Sequence, residues 1–179
     1  MKILIAIDSF KGSLSSNELA NRIENGIKKV YKNADIIKVP VADGGEGTIE
    51  ALVEGTKGHF VEITVSNPIL VPIKAKYGIL GDQKTAVIEM ATASGLPLVP
   101  IDKRNPMETT TFGTGEMIKD AISKGCREFL IGIGGSATND GGIGMMKALG
   151  VKFYDENNIE LGHGGKQLPK IKKIDISGL

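Results

Sequence analysis

Lys2-Ile3-Leu4-Ile5-Ala6-Ile7, running directly into Asp8-Ser9-Phe10-Lys11-Gly12-Ser13, decides the fold class of this chain. The isoleucine-rich run has the pattern of a strand buried on both faces of a parallel sheet. Behind the loop, Ser15 and Glu18 stand in capping-box register, and Leu19, Ala20, Ile23, Ile27, Val30 and Tyr31 repeat at helical spacing. The unit then recurs: Ile36 to Val41 reads as a strand, residues 42–48 as a loop and Ile49 to Glu54 as a helix stopped at Gly55. A β-α-β-α opening implies an α/β fold that starts as a Rossmann-like parallel sheet.

Further along, the texture becomes β-rich over 59–66, 70–80 and 85–90, with Pro68, Pro72 and Gly81-Asp82 marking turns. A boundary near Asn67-Pro68 would divide the chain into residues 1–67, the first part of the Rossmann-like domain, and 68–179, part of a second α/β domain. Gly113 to Lys124 reads as a helix with Gly125 as its left-handed stop, and Phe129 to Ile133 as another buried strand. Gly134-Gly135-Ser136-Ala137-Thr138-Asn139-Asp140-Gly141-Gly142 follows, then a helix marked by Ile143, Met146 and Leu149. The tail suggests a hairpin around residues 155–158 and a polar stretch from Gly162 to Gln167.

With 179 residues, 41% of them apolar, the chain can build a real core. Lys and Arg total 22 against 21 for Asp and Glu, so net charge points to no nucleic acid or anionic membrane partner. Cys126 alone can form no internal disulfide and fits a reducing cytoplasm. The opening apolar run, cut at Asp8, is too short for a signal peptide, and no stretch approaches the roughly 18 apolar residues of a membrane span. Glycine is the informative excess: 24 residues, nearly twice the average usage of about 7%, gathered in clusters.

All three strand-to-helix turns lie where an open parallel sheet places its ligands, beyond the carboxyl ends of the strands. At Gly134 to Gly142, glycine lets successive N–H groups converge on an anion, Ser136, Thr138 and Asn139 add donors, and Asp140 can cap the helix or face a metal ion. Lys11, with Ser9, Gly12 and Ser13, resembles a phosphate or carboxylate clamp; the plainer reading is a solvated lysine in a loop capped by Asp8. Asp43 and Glu46 bracket Gly44-Gly45, a spacing that serves magnesium, hydroxyl positioning or proton acceptance, unless Asp43 and Thr48 are simply helix caps. Cys126, Met145 and Met146 read as core, His59 as a strand residue facing water, and His163 as part of a glycine-rich segment without a direct catalytic role.

No Walker loop and no protein-kinase signature set is present. Gly132-x-Gly134-x-x-Ala137, with Asp155 and Glu156 about 20 residues on, satisfies the loose dinucleotide fingerprint. Four longer segments carry a more specific likeness: residues 8–13, residues 42–48, Thr109-Thr110-Thr111-Phe112-Gly113-Thr114-Gly115 and residues 132–142. Together, in this order, they resemble the signature segments of the bacterial glycerate kinases, and the similarity extends through Gly78 to Met90, Lys103 to Pro106 and Ile174 to Leu179. Ile7 departs from the proline usual in that family before the first aspartate, a change expected to alter loop entry only.

The resemblance implies transfer of the γ-phosphoryl group of ATP, with Mg2+, to D-glycerate, giving 2-phosphoglycerate or 3-phosphoglycerate in a cleft between two α/β domains. Lys11, Asp43 and Asp140 are then the expected catalytic residues. Asp8, Ser9, Ser13, Gly44, Gly45 and Glu46 are expected on the substrate, Gly134, Gly135, Ser136, Thr138 and Asn139 on phosphate, and Asp140 and Glu46 near the metal. Family members are roughly twice as long, so the chain looks like an N-terminal half, inactive alone, that self-associates or pairs with a C-terminal half. The competing readings are a dinucleotide-binding oxidoreductase and a non-catalytic module that binds a small anion or a partner.

Overall fold

The structure, a computed structural model, describes residues 1–8, Phe10, 13–41 and 48–179, with Pro40 and Thr48 described by backbone only. β1 (Lys2–Ile7) pairs in parallel with β2 (Asp35–Pro40), Ile3 opposite Ile36 and Ala6 opposite Val39. The crossover between them is α1 (Ser16–Val30), whose first turn carries the expected capping box: Glu18 N donates to Ser15 Oγ, and Ser15 N donates to Glu18 Oε2 at 2.9 Å.

The expectation of burial on both faces of β1 is corrected by its alternation. Ile5 is 6% exposed while Leu4 is 62% exposed. α1 packs on β1 and buries Leu19 and Ala20, so Ile3, Ile5 and Ile7 form the more covered face, and a residue's offset by one turns it to the other. Among the described residues this sheet has two strands.

α2 (Thr48–Gly55) leads into β3 (His59–Ser66), β4 (Pro72–Ile79) and β5 (Thr85–Glu89), an antiparallel meander. The turn from β3 to β4 is held by buried Asn67, whose Oδ1 accepts from Ile69 N at 3.0 Å and Val71 N at 2.9 Å. Asn67-Pro68, expected as a domain boundary, is therefore the tip of a hairpin whose strands pair from Ser66–Pro72 back to His59–Ile79. The break in strand pairing falls earlier, between β2 and β3.

After β5 come α3 (Ala91–Ser94), two 3-10 turns (Leu96–Leu98 and Ile101–Lys103), α4 (Phe112–Ser123) and β6 (Glu128–Gly132), which pairs in parallel with β5. The sheet order is β3-β4-β5-β6. Here the alternating side chains of β5 are buried on both faces. Ala86 and Ile88 join Tyr77, Met117, Ala121 and Cys126 in the larger core, while Val87 meets Ile49 and Val53 of α2 on the other face. At the centre Tyr77 is fully enclosed and donates its hydroxyl to Asp120 Oδ2 at 2.7 Å; burial and that carboxylate push its phenol upward. Burial likewise pushes up the Cys126 thiol, as a core residue requires.

α4 ends where expected, with Gly125 at φ +97°. α5 (Ile143–Ala148) packs on α4, and Gly115 makes that approach possible: a Cβ there would stand 2.3 Å from Met145 O and 2.7 Å from Ala148 Cβ. The tail forms a small antiparallel pair, β7 (Lys152–Tyr154) with β8 (Lys173–Asp175), and the predicted turn is present as Asp155 N bonded to Ile159 O at 3.0 Å. Among the described residues no helix is long and apolar enough to cross a membrane.

Candidate active site

β6 ends at Gly132, and the chain then passes through residues 133–142 before α5 begins. The first half of this turn is stitched to the segment after β5: Leu96 N donates to Gly135 O and Ala137 N to Ser94 O, both at 2.9 Å. Thr109 Oγ1 donates to Ala137 O at 2.7 Å from the other side. Within the turn, Thr138 N donates to Ser136 Oγ at 3.0 Å and the two hydroxyls lie 2.8 Å apart. Gly135 holds φ +72°, a conformation that a side chain would oppose. Among the described residues, the amides of Gly135, Ser136 and Asn139 have no hydrogen-bond acceptor, and all three residues are exposed. Donors kept open in a fixed turn suit an anion.

The amides at the start of α5 are used differently from the sequence expectation. Asp140 is 1% exposed, and its carboxylate accepts from Gly142 N at 3.0 Å and Gly144 N at 3.2 Å. It also accepts from Thr111 N at 2.9 Å, from Thr111 Oγ1 at 3.0 Å and, more weakly, from Thr110 Oγ1 at 3.4 Å. The Thr111 hydroxyl in turn accepts from Met145 N at 2.9 Å. Of the two roles open to Asp140, capping and facing a metal, this geometry performs the first and ties the Thr109–Gly115 segment to the glycine turn. Gly144 is the contact that lets them meet, since a Cβ there would lie 2.0 Å from Thr110 Oγ1.

His163 closes the same region from the tail. Its Nδ1 lies 3.4 Å from Thr110 Oγ1, and its ring stands edge-on to Phe112 with centroids 5.2 Å apart. Burial, then the positive charge of Lys147, lowers its pKa below the ordinary 6.5, with Asp140 and Glu160 pulling the other way. His163, read from sequence only as part of a glycine-rich segment, is thus half-buried and packed against a threonine and a phenylalanine.

A cavity of about 230 Å³ opens beside the turn, lined by Val99, Arg104, Asn105, Thr109, Ser136 and Thr138 among others. Ser136 and Thr138 were expected at the site from sequence; Arg104, Asn105 and Thr109 were not given roles there. The available signal was the Arg104-Asn105-Pro106 run just ahead of three threonines, but nothing in its spacing says that it folds back onto a turn some 30 residues later.

Of the other expected residues, Asp8 lies half-buried just past the end of β1, and Ser13 is exposed in a tight turn where its N donates to Phe10 O at 2.8 Å. Ser9, Lys11, Gly12, Asp43, Gly44, Gly45 and Glu46 lie outside the described residues. Among the described residues no group of three or more His, Cys, Asp or Glu side chains is placed to hold a metal ion, while magnesium in phosphoryl-transfer sites commonly needs only one or two carboxylates beside the substrate's own phosphates. The dinucleotide fingerprint is not realised. Gly134 opens no helix, α5 starting only at Ile143, and Asp155 turns its Oδ1 back onto Asn157 N and Ile159 N at 2.9 Å each.

The sequence matches the glycerate kinase family over residues 3–179. It is 56% identical over 179 residues to the glycerate kinase of Bacillus subtilis (strain 168), covering all of this chain and 47% of that protein. To the glycerate 2-kinase of Escherichia coli (strain K12) it is 53% identical, again covering all of this chain and 47% of the relative. A crystal structure described as glycerate kinase 2 of Salmonella typhimurium LT2 superposes with a TM-score of 0.94 at 50% identity, over 100% of this chain and 48% of that one. The chain thus spans about half the length of the curated relatives it matches.

Proposed function

The chain belongs to the glycerate kinase family, and from that premise we propose that it carries the phosphoryl-handling part of an enzyme that moves the γ-phosphoryl group of ATP onto D-glycerate. The observation that supports this most directly is the rigid turn at residues 134–139. It keeps neutral donors open beside a small cavity, the equipment that stabilises charge on a transferring phosphoryl group. Gly134, Gly135, Ser136, Thr138 and Asn139 contact phosphate in this reading. Asp140 positions that turn from behind without touching the reactants.

The glycerate hydroxyl oxygen attacks the γ-phosphorus, the bond to the β–γ bridging oxygen breaks, and ADP leaves with the electron pair. The hydroxyl proton passes to a base, a role we give to the Asp43–Glu46 loop. Lys11 and Ser13, with Asp8 and Ser9, meet the glycerate carboxylate. The relative named glycerate 2-kinase favours the 2-hydroxyl and hence 2-phosphoglycerate.

The test is ADP release from magnesium-ATP with and without D-glycerate, by this chain alone and combined with the second half of the Bacillus subtilis relative. Glycerate-dependent release in either preparation, with 2-phosphoglycerate identified by phosphorus NMR, supports the proposal. Silence in both preparations refutes it.

A further inference from the structure

We infer that Arg104 forms the charged wall of an oxyanion subsite, completed by the Ser136–Thr138 turn, that takes a single carboxylate or phosphoryl group. The inference rests on the phosphoryl-transfer reading for its substrate but on separate observations for its existence. First, the nine residues lining the cavity include one charged side chain, Arg104, so the described walls carry net positive charge.

Second, the guanidinium is already anchored. Its Nε donates to Val99 O at 3.2 Å, which holds one edge of the planar group, and among the described residues its terminal nitrogens make no ion pair or hydrogen bond. That leaves a fork of N–H donors of the geometry that matches two oxygens of a carboxylate or phosphate at once. Third, the same cavity has polar lining that is held in place: the Ser136 and Thr138 hydroxyls bond each other, and Thr109 clamps Ala137 between them.

Size narrows the occupant. About 230 Å³ lies below the roughly 300–1,000 Å³ of pockets that take drug-sized ligands. A whole nucleotide does not fit, whereas one oxyanion with the few carbons behind it does. Leu96, Val99 and Pro106 add an apolar flank to the same cavity, against which the carbons of a small acid can rest. The shared chemistry is an oxyanion of a small acid or the terminal phosphoryl group of a nucleotide.

The experiment titrates this chain with inorganic phosphate, D-glycerate and ATP at fixed ionic strength, following the amide signals of residues 136–139 by NMR, for wild type, Arg104→Gln and Arg104→Lys. Removing a charged, paired donor is expected to weaken the oxyanion ligand about tenfold or more, with partial recovery in Arg104→Lys and no change in melting temperature. Loss confined to D-glycerate identifies the carboxylate; loss for phosphate and ATP identifies the phosphoryl group. The proposal is overturned if all three bind Arg104→Gln as they bind wild type, or if none shifts those amides in wild type. Binding of inorganic phosphate does not depend on turnover, so a silent kinase assay with Arg104-dependent binding would sink the kinase reading alone.

Discussion

Replacing Asp140 by alanine tests the reading of that residue as the fastener between two loops. The carboxylate takes hydrogen bonds from Thr111 N, Gly142 N and Gly144 N and from the Thr111 hydroxyl, at 2.9 to 3.2 Å. Thr111 and Gly144 are buried, so truncation strands two amides on buried residues. At about 1–3 kcal/mol for each buried donor without an acceptor, the loss is about 2–6 kcal/mol. Water entering the vacated space pulls the value into the lower half of that range, and about 3 kcal/mol is expected. That is a large part of the roughly 5–15 kcal/mol by which a domain is stable. Asp140→Asn keeps one acceptor oxygen and the shape, and should cost about half as much. Urea unfolding followed by circular dichroism measures both, and amide exchange at Thr111 and Gly144 should quicken in step. If Asp140→Ala unfolds cooperatively within about 1 kcal/mol of wild type, the carboxylate is not what joins the loops, and a role facing ligand regains its claim.

Two further outcomes follow from the same packing. Because His163 is held below 6.5, the unfolded chain binds a proton near that pH before the folded one does; stability is full above 6.5 and falls as the pH drops toward the folded value. The melting temperature should therefore decline more between pH 7.5 and 5.5 in wild type than in His163→Gln, and equal declines would contradict it. Gly115→Ala puts a methyl 2.3 Å from Met145 O, a backbone atom that cannot swing away, and should destabilise by about 1–3 kcal/mol as α4 and α5 are forced apart. A melting temperature at or above wild type would show that the two helices have slack.

Much of the fold could be read locally. The Ser15/Glu18 pair, the spacing of Leu19 and Ala20, and Gly125 each depend on interactions within a turn of helix, and the structure has them where the sequence puts them. What misled was anything set by partners distant in the chain. An isoleucine-rich run looks the same whether a sheet is covered on one face or two, so the exposed face of β1 could not be foreseen from its letters. Asn67-Pro68 carries turn chemistry, which is shared by a domain boundary and a hairpin. At the site, the glycines and hydroxyls of residues 134–139 were legible because the motif is continuous. The bonds from Thr111 to Asp140, and the meeting of Arg104 and Ser136 on one cavity, join positions about 30 residues apart, which no spacing encodes.

The contact among Thr110, Asp140 and Gly144 also bears on how such a protein can change over generations. Three positions from two separate stretches share a space in which a Cβ on Gly144 would overlap the threonine hydroxyl and press on the carboxylate. A larger residue at 144 meets Asp140 Oδ2 and the backbone amide of Phe112 as well, each 2.8 Å from that Cβ, and a smaller residue at 110 leaves Asp140 with one donor fewer. Because one of those contacts is backbone, no side-chain exchange at 110 or 140 makes room at 144 by itself, so drift at this corner has to move the chain as well as the side chains.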